Sequence, residues 1–175
     1  MTTAKHFTPG AGKRKPIRLI VIHSAENQEL PGQAKHLVQW FAGDTAPQAS
    51  AHYMVDNATV AQSVDDADIA WHCDNWDRNC ESIGIELTGS ASQTAAQWAD
   101  TYSKSVINQA VGLCKKLSTK YSIPAVHLTA EQILDGKTKG YCTHHDITLA
   151  HKIVGGHTDP GANFPMADFL KAVAK

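Results

Sequence analysis

The run Ile17-Arg18-Leu19-Ile20-Val21-Ile22 constrains this chain more than any other stretch. It is mostly β-branched, too short for a helix and far short of the ~18 residues a membrane span needs. It therefore reads as a buried strand, and a buried strand needs partners and cover. The cover is legible in Thr94–Tyr121, the strongest helical pattern in the sequence. There Ala95, Trp98, Tyr102, Val106, Ala110, Leu113, Cys114, Leu117 and Tyr121 recur at three- and four-residue steps, a wide apolar stripe. With 175 residues, 42% of them hydrophobic, the chain has material for one domain with its own core.

Other elements alternate around these two. Pro31 opens a helix to about Ala42, with Ala34, Leu37, Val38 and Phe41 on one face. Ser50–Val55 and Thr59–Val64, separated by Asp56-Asn57-Ala58, read as a hairpin, and Ser82–Leu87 as another strand. Ala125–Leu128 suggests a short strand, Thr129 caps a brief helix through Leu134, and Pro165 begins a last short helix. The polar, aromatic stretch Asp65–Glu81 reads as one long loop, the kind that carries function. Residues 1–15 are rich in Gly, Pro, Lys and Thr without periodicity and form an N-terminal arm, mobile or wrapping, ahead of a domain over 16–175. The expected fold class is α/β, a mixed central β-sheet flanked by helices.

Charge excludes some classes of function. Lys plus Arg is 16 and Asp plus Glu is 17, so the net charge of −1 argues against a nucleic-acid partner. The start has basic residues but no apolar stretch behind them, so it does not read as a secretory signal. Four cysteines are too few for a disulfide scaffold, although Cys73 and Cys80 are close enough in sequence for a small bridge. Histidine is the excess: ten, against four each of Phe, Trp and Tyr. Imidazole is the commonest metal ligand and the usual proton shuttle, so this points to a metal or acid–base site.

Several residues could carry that chemistry, and each also has an ordinary structural explanation. His23 stands at the C-terminal end of the first strand, where α/β proteins place ligands, or it bonds a loop carbonyl. His144-His145-Asp146 puts two imidazoles beside a carboxylate, or is a turn with one solvated His; in an extended segment only one of the two points inward. Asp159-Pro160-Gly161 is ordinary turn chemistry when taken singly. Glu86 is the sharper anomaly. Its strand neighbours Ile85 and Leu87 face a core, so Glu86 shares the other face with Gly84, whose missing side chain allows a close approach, unless that face is merely solvated.

Six blocks in order, IVIHSA (20–25), SAHYMVD (50–56), AWHCDN (70–75), SIGIELTG (82–89), THHDI (143–147) and HTDPGANFP (157–165), are together similar to the type-2 N-acetylmuramoyl-L-alanine amidases. That family shares its fold with peptidoglycan recognition proteins and includes phage endolysins. The resemblance implies one zinc ion held by two His and an acid or Cys, here His23, His144 and Asp159. Three protein ligands with one open position are what a catalytic zinc requires. Thr143 stands where the family usually has Gly, and Cys142 is a rival ligand that the motif register disfavours. Glu86 matches the family's catalytic Glu, acting as base toward water and then as acid toward the leaving amine. Ala51 precedes His52 where some phage members carry a Tyr, which leaves more of the work to Glu86. His157 replaces a Lys that stabilises the oxyanion; a neutral imidazole still donates a hydrogen bond, but imidazole is charged only below roughly pH 6.5.

The resemblance further implies substrate contacts at Trp71, His72 and Asn79, with His52 beside them or merely packed; Trp71 reads equally as a lid on the core. The implied reaction is hydrolysis of the amide between the lactyl group of N-acetylmuramic acid and L-alanine in peptidoglycan. The protein would be a monomer with no nucleic-acid or membrane partner. It would be made in a phage-infected host's cytoplasm and act on the cell wall. A non-catalytic peptidoglycan-binding domain, a cytoplasmic amidase recycling wall fragments, and a thiol hydrolase using Cys142 or Cys80 are the competing readings.

Overall fold

The computed structural model describes residues 2–175, so Met1 of the 1–15 arm lies outside the described residues. A two-residue strand β1 (Phe7–Thr8) precedes β2 (Leu19–Ser24), in which every residue is buried. Then come α1 (Gln33–Ala42), the hairpin β3 (Tyr53–Val55) and β4 (Val60–Gln62), β5 (Ile69–Ala70), α2 (Trp76–Cys80) and β6 (Ser82–Leu87). The second half holds α3 (Ala95–Trp98), α4 (Thr101–Tyr121), α5 (Ala130–Leu134), β7 (Gly140–Thr143), α6 (His144–His151) and α7 (Met166–Val173). Five strands form one sheet in the order β4-β3-β6-β2-β7, parallel throughout except for β4, while β1 and β5 pair separately. This is the expected mixed sheet between helices.

Strand alternation sorts the side chains onto two faces. Ile20, Ile22, Ile83, Ile85, Leu87 and Tyr141 point one way, into a core with Val106, Cys114 and Leu117 of α4 and Phe169 of α7. Each fully buried aliphatic side chain there contributes about 1.5–3 kcal/mol. Leu19, Val21 and Cys142 point the other way, against Leu128, Ile133 and Ile147. A third cluster joins Ala34, Leu37, Val38 and Phe41 of α1 to Met54 and Ala70. The face of Leu19 and Val21 continues to His23, and the face opposite Ile85 carries Gly84 and Glu86. The long helix thus supports the sheet from one side, and His23, Gly84 and Glu86 lie on the other, beyond the smaller apolar cluster.

Four expectations need correction. The pattern over Thr94–Tyr121 is two helices, because the Asp100 carboxylate accepts the Ser103 N–H and starts α4 afresh. Ala95 is accordingly exposed and outside the core. Asp65–Glu81 is not one loop: it holds β5 and α2, the latter capped by Asn75 accepting from Arg78 N–H. Ala125–Leu128 is not a strand: among the described residues it makes one isolated bridge, His127 to Tyr141. The segment Tyr141–Ile147 is not extended throughout: Thr143 and Asp146 form a capping box and the helix begins at His144.

Candidate active site

Three loops at the C-terminal ends of β2, β6 and β7 meet above the sheet. His23 is the penultimate residue of β2 and is Cα partner to Glu86 on the adjoining parallel strand β6. Thr143 of β7 lies beside Ile22, which delivers His144, the first residue of α6, next to His23. The loop after α6 returns across them, pinned where the His145 N–H donates to the Asp159 carbonyl at 3.1 Å. Gly161 is needed for that return: its φ is +92° and a Cβ there would stand 2.0 Å from the Ala91 carbonyl oxygen.

His23, His144 and Asp159 are all buried, and their ligand atoms lie within 4.8 Å of one another. His23 Nδ1 is 3.1 Å from Asp159 Oδ2, and His144 Nδ1 is 3.2 Å from Asp159 Oδ1. Burial by itself would raise the Asp159 carboxyl, but the imidazoles of His144 and His23 beside it outweigh that and hold it well below the usual carboxylate range. Cys142 takes no part: its side chain is in the core beside Val21 and Leu19, and burial pushes its thiol far up.

The proton order behind His23 bears on what the trio could hold. Ser82 Oγ lies 2.6 Å from the Arg78 carbonyl, which can only accept, so the hydroxyl donates there. His72 Nε2, 3.0 Å from the same hydroxyl, must then donate to it, leaving His72 Nδ1 as an acceptor. His23 Nε2, 3.0 Å from that Nδ1, must therefore carry the proton. Burial lowers the pKa of both rings, most strongly that of His72, which keeps each to one proton. The lone pair of His23 Nδ1 consequently faces a carboxylate oxygen. Two acceptors converging on a second imidazole fit a cation, and the imidazole, imidazole and carboxylate set suits zinc. Gly84 makes the relay possible, since a Cβ there would stand 2.6 Å from the His72 ring.

Glu86 enters the same cavity, about 180 Å³ in volume. Its Oε2 is buried without a partner. Burial, then the negative Asp159 and Glu26, pushes its pKa up to about 8, toward the range useful for a base. His157 stacks on His144 with ring centroids 4.1 Å apart, and lies between Asp159 (3.4 Å) and Asp74 (3.2 Å). His144, His157 and Asp74 also gather ligand atoms within 4.8 Å, but Asp74 and His157 are exposed and His144 belongs to the buried trio. Opposite the polar side stands an apolar wall of Leu37, Trp40, Phe41, Ala49 and Trp71.

The structure does not bring every expected residue to the cavity. Trp71 and His72 both line it, and His72, largely buried, is also the partner of His23. Asn79 lies behind the loop, where its Oδ1 accepts the N–H groups of His72 and Cys73, because backbone donors buried there need a partner. His52 is fully buried; its Nδ1 accepts the Gly84 N–H at 3.0 Å. His145 turns from the trio, its Nδ1 near the His157 carbonyl. Cys73 and Cys80 are free thiols. Residue-by-residue reading overlooked Asp74 and Ser82, which lie within the six blocks, and Trp40, hidden because a helical Trp reads as core; it is 46% exposed.

The fold is shared with solved structures of low sequence identity. The structure of PlyL superposes with a TM-score of 0.65 at 20% identity, covering 99% of this chain and 89% of that one. A selenomethionine derivative of AmpD gives 0.68 at 19%, covering 99% and 92%. The endolysin N-acetylmuramoyl-L-alanine amidase LysCS from Clostridium intestinale URNW gives 0.60 at 16%, covering 97% and 88%. No curated protein matches the chain. The family model described as N-acetylmuramoyl-L-alanine amidase matches residues 13–162, which contain every residue of the trio, Glu86 and His157. With this site and that match over most of its length, the chain belongs to the type-2 N-acetylmuramoyl-L-alanine amidase family of peptidoglycan-cleaving enzymes.

Proposed function

We propose that this protein is a zinc-dependent amidase that hydrolyses the bond between the lactyl group of N-acetylmuramic acid and L-alanine, in phage-induced lysis of a bacterial host. The observation that carries this reading is the buried trio His23, His144 and Asp159, with Glu86 beside it on the neighbouring strand. The trio would hold the metal, and bound zinc would supply Lewis acidity at the scissile carbonyl and lower the pKa of water to about 7. Glu86 takes the proton of the attacking water on its carboxylate and returns it to the nitrogen of the departing L-alanine. His157, at the open side of the cavity, donates an N–H to the oxygen on which charge develops. His72 keeps His23 in the tautomer that presents Nδ1 to the cavity.

In this reading residues 16–175 are the catalytic unit and residues 1–15 an arm. The protein is a monomer whose partner is peptidoglycan, with no nucleic-acid or membrane partner; it is made in the host cytoplasm and acts on the wall. No helix among the described residues is long and apolar enough to cross a membrane. The likeness in fold to the endolysin LysCS supports the lytic role.

The test is zinc content together with digestion of purified peptidoglycan, with and without a chelator. One zinc per chain and new N-terminal L-alanine, lost on chelation, is the expected result. Tight binding to peptidoglycan without new amino termini would make the protein a recognition domain.

A further inference from the structure

The family match begins at Lys13, yet the segment ahead of it is built into the apolar wall of the cleft. Phe7 and Thr8 pair antiparallel with Ala70 and Ile69, just before Trp71. Thr8 Oγ1 accepts the indole N–H of Trp71 at 3.0 Å, and the His6 ring lies near the same indole, centroids 6.0 Å apart and planes 31° apart. On the other side of the wall, the Lys5 N–H donates to the Phe41 carbonyl at 2.8 Å, satisfying one of the acceptors that the end of α1 leaves free. Ala4 is buried among the residues that back α1.

The arm thus holds both parts of the wall, Trp71 and the last turn of α1 with Trp40 and Phe41. It touches none of the trio and does not touch Glu86. We propose that residues 4–8 are positioning residues for the substrate: they fix the Trp71 indole before binding, so that the wall receives the non-reacting part of the muramoyl peptide without first having to be ordered. A preordered wall lowers the cost of binding and leaves the chemical step alone. This rests on the amidase reading above.

The test uses Thr8→Val, which keeps the side chain's shape and removes the acceptor. One hydrogen bond's worth of ordering predicts a KM for an N-acetylmuramoyl dipeptide raised about three- to ten-fold. The kcat and the zinc content should stay as in the parent protein, and Thr8→Ser should restore KM. Trp71→Phe has no N–H to hold, so it should raise KM alone, and adding Thr8→Val to it should change nothing further. A KM unchanged in Thr8→Val, or effects of the two substitutions that simply add, would overturn the proposal. Calorimetric binding of the dipeptide separates the two readings. If the parent protein cleaves nothing but Thr8→Val still weakens binding, the amidase reading fails and the arm's role stands.

Discussion

At the residue scale, the proposed chemistry rests on two groups, Glu86 and His72, that can be separated by what each substitution costs. Glu86→Gln removes a proton acceptor that faces the cavity and bonds nothing in the structure. The expected outcome is retained zinc and a loss of about 10²–10⁴-fold in turnover on peptidoglycan. Turnover within a few-fold of the parent would move the base elsewhere. His72→Ala acts on the metal side, since His72 bonds the far nitrogen of His23. Zinc affinity, measured by chelator competition, should fall about 10–100-fold, the usual worth of a partner behind a ligating imidazole. An affinity equal to the parent's would show that His23 needs no such partner. His23, Glu86, His144 and Asp159 were all legible as candidates in the sequence, because strand alternation and motif order place each of them. His72 was legible as a candidate, but its bond to His23 was not: its Trp-His-Cys context says nothing about which side of the loop the ring occupies.

At the scale of elements, short polar side chains set boundaries that apolar periodicity cannot see. The stripe from Trp98 to Leu117 runs without interruption in sequence, yet Asp100 breaks the helix by capping α4. Asp100→Ala should cost about 1 kcal/mol and lower the melting temperature by roughly 2–4 °C, read by circular dichroism, with zinc content unchanged. An unaltered melting temperature would mean that the cap contributes nothing. Arg18 is the complementary case. It interrupts the apolar run of the first strand, but the structure buries it against Glu81 at 2.7 Å and the carbonyls of Ile133 and Thr138. No local pattern announces a buried ion pair between residues so far apart.

At the scale of the whole molecule, stability carries the signature of its buried imidazoles and, in the proposed function, of the metal. His52 is fully buried and its pKa is lowered to about 3, chiefly by burial and then by Arg14. The unfolded chain binds a proton there below about pH 6.5, which the folded chain refuses until about pH 3. Stability from this group is therefore complete above pH 6.5 and lost as pH falls toward 3, on the order of 4–5 kcal/mol across the window. His52→Gln should flatten the slope of urea-unfolding free energy between pH 6.5 and 4, and an unaltered slope would clear His52 of that role. Zinc held by the trio would add to stability, because the unfolded chain has no formed site. With free zinc at about a hundred times its Kd, chelation should remove about 2.7 kcal/mol and lower the melting temperature by roughly 5–10 °C. No shift on chelation would show that the trio does not hold the ion.

The sequence by itself determined the sheet-and-helix class, the strand carrying His23, the strand carrying Glu86 and the loop carrying Asp159. These follow from local physics: β-branched runs, two-residue alternation and turn residues act over a few positions. The tertiary structure decided which polar residues look into the cavity and which support it. His52 and Asn79 belong behind the site because buried donors and acceptors must find partners, and those partners come from strands and loops distant in the chain, while His72 both lines the cavity and bonds His23. It also decided that residues 4–8 back the wall of the cleft, since a strand of two residues forms only when β5 is already there to pair with it.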